Sequence, residues 1–150
     1  MSEPAPATLV KVAFDLPPEA PTQGETLWAT PLGDGRYKLD NTPWYAKGVA
    51  LDDVIRCDEQ PDQLPKFQEV VERGGNWTIR LFVPDGETHQ AVKKEVCDYL
   101  LGAGCAYETQ GPAKGLIAVT IPHAVPCDPI LEHLNQLERE KIAFWESGNF

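Results

Sequence analysis

The chain has 150 residues, 42% of them hydrophobic, and its 13 basic and 23 acidic side chains give a net charge of −10. This size and composition are typical of one globular domain that buries its own core. An acidic surface repels the phosphates of nucleic acids and of anionic membranes, which excludes both as main partners. The short apolar runs exclude a transmembrane helix, and with no signal-peptide pattern at the N-terminus they predict a cytoplasmic protein.

The N-terminal part carries strand patterns. Residues 1–8 are acidic and rich in Pro and Ala, and are predicted to be a disordered tail. Val10 to Leu16 alternates between apolar and polar side chains, which predicts a half-buried strand. Glu25 to Leu32 and Arg36 to Leu39 flank the turn Gly33-Asp34-Gly35, so these two segments are predicted to form a β-hairpin.

Three more short strands are predicted before residue 84. Asp53 to Cys57 forms one of them, and Phe67 to Glu72 and Trp77 to Val83 form a second hairpin around Gly74-Gly75-Asn76. Closely spaced antiparallel strands of this kind are typical of a curled antiparallel β-sheet or a small SH3-like barrel. Four aromatic residues lie in or beside strands, where packing in the core is the expected role and a ligand or partner surface is the alternative: Trp28, Trp44, Tyr45 and Trp77.

From Thr88 onward the apolar period becomes that of a helix. Thr88 is the predicted N-cap of a helix that ends at Gly102 or Gly104. Strands follow at Cys105 to Thr109 and at Leu116 to Ile121. Asp128-Pro129 opens a second helix, with the aspartate as its cap and proline at the first helical position.

The element order from Trp77 is therefore β-α-β-β-α, which is most of a ferredoxin-like unit. We expect a single α+β domain over residues 9–150, in which 9–75 is mostly β and 76–150 is the βαββα part. The strand Trp77 to Val83 is expected to be shared by both parts. Phe144 and Trp145 are expected to seal the core edge or to dock the C-terminal tail.

No group of side chains forms a convincing reactive centre. The best approximation to a metal site consists of His123, Cys127, Asp128 and His133. Its spacing matches no common zinc motif, so no metal site and no cofactor are predicted. The four cysteines include no Cys-x-x-Cys pair, and we expect buried free thiols rather than disulfides or nucleophiles. No catalytic residue is predicted.

The acidic charge is concentrated between Leu51 and Asp62, where five carboxylates are accompanied only by Arg56. These carboxylates belong to Asp52, Asp53, Asp58, Glu59 and Asp62. One interpretation is a solvated loop that keeps the protein soluble. The other is an acidic face that binds a basic protein partner, with Trp44 and Tyr45 as aromatic anchors.

Several segments together resemble a known family. They are Glu25 to Ala29, Tyr37 to Val49, Asp53 to Ile55 and Val70 to Arg80. In this order they resemble the bacterial family named domain of unknown function 4265 (DUF 4265), over roughly Leu9 to Phe150. That family usually has a motif like Gly-His-Ser-Thr where this chain has Asn76-Trp77-Thr78, so no role that rests on such a histidine is expected here. The resemblance implies a small bacterial protein, and some families of this kind supply immunity proteins against secreted toxins.

These observations predict a protein-binding protein rather than an enzyme. Its predicted function is that of an immunity protein, a stoichiometric inhibitor of a basic bacterial toxin such as a nuclease. Two alternatives stay open. The protein could be an enzyme or small-ligand-binding protein with a pocket between its two β parts, which requires convergent polar groups in that pocket. It could also be a regulatory interaction module.

Overall fold

The computed structural model describes residues 8–109, 111 and 114–149, so all but one residue of the predicted tail lies outside the description. The described residues form nine strands and two helices. In chain order these are β1 (Val10–Asp15), β2 (Gly24–Gly33), β3 (Arg36–Leu39), β4 (Val54–Asp58), β5 (Lys66–Glu72), β6 (Trp77–Phe82), α1 (His89–Gly102), β7 (Ala106–Glu108), β8 (Leu116–Ile121), α2 (Cys127–Arg139) and β9 (Phe144–Ser147). The fold is therefore α+β, as predicted.

The first five strands, β1 to β5, form a closed barrel in chain order. Each neighbouring pair is antiparallel, and a single parallel contact between Ala13 and Lys66 closes the barrel. The parallel closure follows from the odd number of strands, because β1 and β5 then run in the same direction. Alternate side chains point inward, so that Val12 and Phe14 pack with Leu27 and Ile55 in the barrel core.

The remaining strands form a second sheet, in the order β7-β8-β6-β9 with every pair antiparallel. Ile79, Leu81 and Val119 share one core with Leu100 of α1 and Leu134 of α2. Both helices therefore cover one face of this sheet. None of the described helices is long and apolar enough to cross a membrane.

The other face of the second sheet packs against the chain that connects β3 to β4, residues 40–53. The hydroxyls of Thr42 and Thr120 lie 2.5 Å apart, and Thr78 donates a hydrogen bond to the carbonyl of Val49 at 3.2 Å. Thr78 and Thr120 alternate along their strands with the apolar side chains that face the helices. Residues 40–53, which leave the barrel after β3, thus lie at the boundary between the barrel and the second sheet.

Two predicted pairings are wrong. β5 and β6 do not form a hairpin around Gly74-Gly75-Asn76, because β5 pairs with β4 and β1, whereas β6 pairs with β8 and β9. For the same reason the strand at Trp77 is not shared between the two parts. Gly74 donates its N–H to Asp53, so this glycine segment is tied to the end of the barrel and carries the chain from one sheet to the other.

The ends of the helices also differ from the prediction. α2 begins at Cys127 with Pro126 in the N-cap position, so Asp128 lies in the first turn and is not the cap. Thr88 is at the N-cap of α1, but its side chain makes no capping hydrogen bond. Phe144 and Trp145 belong to β9, a strand that the sequence pattern did not indicate, which completes the second sheet at one edge.

Candidate functional site

The segment Trp44–Ala46 is held from both sides by charged side chains. The carboxylate of Glu25, at the start of β2, accepts the backbone N–H groups of Trp44 at 2.5 Å and of Tyr45 and Ala46 at 2.9 Å each. Arg80 of β6 donates to the carbonyls of Trp44, at 2.6 Å, and of Ala46. Because one partner belongs to the barrel and the other to the second sheet, we call this arrangement the Glu25–Arg80 clamp.

Arg80 is only 3% exposed although it carries a charge in the middle of a strand. Burial lowers the pKa of its guanidinium, while Glu146 and Glu25 act in the opposite direction. Its Nη1 lies 3.9 Å from a carboxylate oxygen of Glu146 and has no hydrogen-bond partner among the described residues. A buried charge with two hydrogen-bonded nitrogens makes the clamp rigid, because moving the segment would leave these groups unpaired.

The clamp presents Trp44 to a cavity of about 470 Å³, which we call the aromatic groove. The groove is lined by Thr26, Leu27, Trp28, Asn41, Trp44, Tyr107, Glu108 and Thr109. Its walls come from β2, from the β3–β4 connection and from β7 at the edge of the second sheet. No lysine, arginine or histidine is among these lining residues, as far as the structure describes them.

Trp28 is 42% exposed and Trp77 37% exposed, so the expectation that both pack in the core is wrong. Trp28 lies on the outer face of the barrel, where the ammonium of Lys11 sits 5.2 Å from the centre of its ring. The ring of Trp44 instead packs closely against Gly111, where an added Cβ would come within 2.5 Å of it. The groove therefore combines one exposed and one tightly held indole.

Glu108 supplies the negative charge in the groove. Burial raises the pKa of its carboxyl, and the neighbouring carboxylates of Asp40 and Glu25 raise it further, against a hydrogen bond from Asn41. A carboxylate beside two like charges is stabilised by any cation that enters, because the cation relieves the repulsion. The groove thus suits a positively charged group and disfavours an anion.

The predicted acidic stretch does not form one surface. Asp53 is only 1% exposed, and its carboxylate accepts the N–H groups of Ala50 at 2.9 Å and Gly74 at 2.8 Å, with Arg73 at 3.4 Å. Asp53 therefore serves to hold the connection 40–53 to the segment after β5 and is not accessible to a partner. A buried carboxylate is tolerated here because backbone donors and a guanidinium replace its water.

The other four carboxylates divide between the two ends of β4. Asp52 has a positive φ of 71° and lies near Lys38, at 3.9 Å, and the amide of Asn76, at 3.3 Å. Asp58 and Glu59 lie with Asp62 at the far end of β4, all exposed, and the strand itself spans roughly 13 Å at about 3.3 Å per residue. Glu59 also accepts a hydrogen bond from Tyr37. Neither end brings all four together.

Tyr45 is not among the lining residues of the aromatic groove but lines a second cavity. This cavity has a volume of about 510 Å³ and lies between barrel and second sheet, so we call it the interlayer cavity. Phe14 and Phe67 line it from the barrel, and Arg80 and Leu116 from the sheet. Burial raises the pKa of Tyr45, and Glu25 adds to the effect. The two predicted anchors, Trp44 and Tyr45, each line one of these cavities, and together they line a third cavity of about 480 Å³ beside Glu25.

The cysteines are free, and Cys57, Cys97 and Cys105 are buried as predicted, whereas Cys127 is half-buried. Burial raises the pKa of Cys57 to about 12 and that of Cys105 to about 11, which makes both thiols poor nucleophiles. The part of the chain that the structure describes holds no group of three or more His, Cys, Asp or Glu side chains placed to bind a metal ion.

Trp44 was predicted from the sequence as an anchor, but the residues that position it were not. Glu25 and Arg80 both lie in segments that carry the family resemblance, which was the available signal for them. Tyr107 and Glu108 carried no comparable signal, because a three-residue edge strand has too short a pattern to place its side chains. Their position in the groove depends on the pairing of β7 with β8.

Comparison with known proteins gives two matches. The model of the family described as Domain of unknown function (DUF4265) matches residues 25–145. A solved structure titled "Novel crystal structure of a hypothetical protein from Neisseria gonorrhoeae" has a TM-score of 0.76 and 19% sequence identity, over 94% of each chain. At this identity the likeness concerns the fold alone. No curated protein matches the chain. The family match extends over most of the sequence, and the protein therefore belongs to the DUF4265 family.

Proposed function

We propose that this protein binds a basic protein partner through the aromatic groove, as an immunity protein would bind a basic toxin such as a nuclease. The observation that carries the proposal is a cavity with two indole rings and a carboxyl group, without a basic side chain among its described lining residues. Trp28 and Trp44 offer the large, stiff contact area that is typical of interface hot spots. The proposed location is cytoplasmic, where such an inhibitor would meet its partner.

The net charge of −10 supports the same proposal by a separate route. Long-range attraction between an acidic protein and a basic one raises the association rate, and salt screens that attraction. In this proposal Asp58, Glu59 and Asp62 steer the partner from outside the contact area, while the groove residues provide the lasting contacts. The acidic stretch, which the sequence predicted as the binding face, is thus proposed to steer the partner instead.

The arrangement of strands supports a finer description of the fold. A closed barrel of five consecutive strands supports the proposal of an SH3-like barrel. The order β7-β8-β6-β9, with both helices on one face, supports a ferredoxin-like unit in which β9 supplies the strand that the sequence pattern lacked. In both cases the proposal concerns architecture and carries no function with it.

The proposal can be tested by capture followed by reconstitution. The immobilised protein is used to capture partners from a lysate of its own host, and each captured protein is identified, purified and mixed with the purified protein. We expect a basic partner whose activity falls to zero at a one-to-one ratio. Its affinity should fall as salt rises.

Two variants separate the two surfaces. Trp28→Leu alters an exposed side chain of the groove and should raise the dissociation constant about tenfold or more through the dissociation rate. Asp58→Lys with Glu59→Lys should mainly lower the association rate and the salt dependence. An acidic partner, or a basic one whose binding is unchanged by Trp28→Leu, would contradict the proposal.

A second candidate function is the binding of a small molecule, and the interlayer cavity favours it. Its walls come from both sheets and combine apolar side chains with Arg80, Lys47 and Glu146. Cavities of this size between structural units are common ligand sites. A ligand that raises the melting temperature of the wild type but not of Phe67→Trp, which would fill the cavity, would support this candidate.

A further inference from the structure

We infer that the aromatic groove is a pocket for a single arginine side chain of the partner. This inference rests on the proposed function, since it names the chemical group through which the partner is recognised. It goes further in that it applies to an isolated guanidinium compound as well as to a whole protein. Three groove residues carry it: Trp28, Trp44 and Glu108.

The walls of the groove fit a planar cation. A guanidinium is flat, weakly hydrated and stacks on aromatic rings, where the negative face of the ring attracts it. Two indole side chains, those of Trp28 and Trp44, line this one cavity of about 470 Å³, whereas the ring of Tyr107 packs on the helix side of the second sheet. Lys11 already places an ammonium 5.2 Å from the ring centre of Trp28, although Lys11 is not among the lining residues of the groove. The Trp28 ring therefore already attracts one cation in this fold.

The charges around the groove select a cation over a neutral group. Glu108 lines the cavity, and the charges of Asp40 and Glu25 act on its carboxyl, so three carboxylates contribute negative potential at this point. Asn41 donates a hydrogen bond to Glu108, which leaves part of the carboxylate available to a further donor. The plane of an arginine guanidinium can stack on the indoles while its N–H groups donate hydrogen bonds to this carboxylate.

The groove is also preorganised, because the residues that form its walls are fixed without a ligand. Trp44 is fixed through its backbone by Glu25 and Arg80, and through its ring by Gly111. Trp28 donates its backbone N–H to the side chain of Asn41 at 2.8 Å, which ties β2 to the connection that carries Trp44. A pocket whose walls are fixed in advance loses little entropy on binding, which favours a small ligand.

The test uses N-acetyl-L-arginine amide as the probe and follows the indole N–H signals of Trp28 and Trp44 by NMR. We expect a dissociation constant of the order of 1 mM, as one charged, stacked contact provides. N-acetyl-L-citrulline amide has nearly the same shape without the charge and should bind at least about tenfold more weakly. N-acetyl-L-lysine amide should bind more weakly than the arginine compound, because its ammonium is not planar and is more strongly hydrated.

Matched variants show where the probe binds. Glu108→Gln and Trp28→Leu should each weaken the arginine probe about tenfold, whereas Glu95→Gln on α1 and Trp77→Leu on β6 should not. The amide spectrum of each variant shows whether the fold is kept. Equal affinity for arginine and citrulline, no binding up to the solubility limit, or unchanged affinity in Glu108→Gln would overturn the inference. Since the probe requires no partner, its failure is distinct from a failure to find a basic partner.

Discussion

The Glu25–Arg80 clamp makes a specific prediction for Glu25→Gln. Oε1 of the carboxylate accepts one N–H, from Trp44, and Oε2 accepts two, from Tyr45 and Ala46. A glutamine keeps the shape but has a single acceptor oxygen, so its NH₂ group would meet at least one of these N–H donors. The backbone of the β3–β4 connection would thereby lose one bond and retain two weaker, uncharged ones.

The size of the effect follows from these contacts. An N–H left without its partner in a partly buried position is destabilising by about 1–3 kcal/mol, and the loss of charge weakens the other two bonds. We therefore expect the free energy of unfolding to fall by about 2 kcal/mol. Urea unfolding followed by tryptophan fluorescence measures this, and the midpoint should fall by about 1 M for a typical urea slope.

A control and a double variant complete the experiment. Glu95→Gln removes an exposed carboxylate on α1 and should change the free energy of unfolding by no more than about 0.5 kcal/mol. Arg80→Lys releases the same segment from the opposite side, so its effect and that of Glu25→Gln should not add. If Glu25→Gln destabilises no more than the control, or if the two effects are additive, the clamp does not fix this segment.

Two further predictions concern packing and pH. Gly74→Ala should lower the free energy of unfolding by about 2 kcal/mol, because its Cβ would lie 2.7 Å from the backbone of Asp52. Gly102→Ala, at the end of α1 with open space around it, should be neutral or raise the stability by up to about 1 kcal/mol, and urea unfolding of both variants checks this. Burial raises the pKa of Cys57 from 9.0 to about 12, and burial with Glu59 raises that of Tyr37 from 10.0 to about 12, so the fold favours their neutral forms. The stability they contribute is complete below about pH 9 and is lost as the pH rises toward 12; an unfolding free energy that stays constant from pH 8 to pH 11 would contradict this.

Much of the secondary structure could be predicted from local pattern. The predicted bounds of β3 and β8 agree with those in the structure, because glycines mark the turns beside them and apolar residues fill their buried positions. The pairing of β5 with β6 could not be predicted correctly, since a short glycine segment between two strands fits either a hairpin or a passage to another sheet. β9 was missed because its strand partner β6 is distant in sequence, and four residues carry too little pattern.

The candidate site was predicted less completely, for a related reason. Trp44 was recognised as an anchor because it is a large aromatic side chain in a connection. Asp53 was expected on the surface because it lies among acids, yet the nearby N–H of Ala50 and two donors from a distant segment, Arg73 and Gly74, compensate its burial. The clamp and the groove likewise consist of contacts between residues far apart in the chain. Composition and periodicity predict the elements but not which side chains tertiary packing brings together.

The central claim is that a basic partner docks in the aromatic groove, and an NMR footprint of the bound partner tests it most directly. Isotope-labelled protein is titrated with the purified partner, and the amide and indole signals are followed. We expect the largest changes on Thr26 to Trp28, on Asn41 to Trp44 and on Tyr107 to Thr109, with small changes at Asp58 to Asp62. The largest changes at Asp58 to Asp62, with the indole signals of Trp28 and Trp44 unmoved, would contradict it.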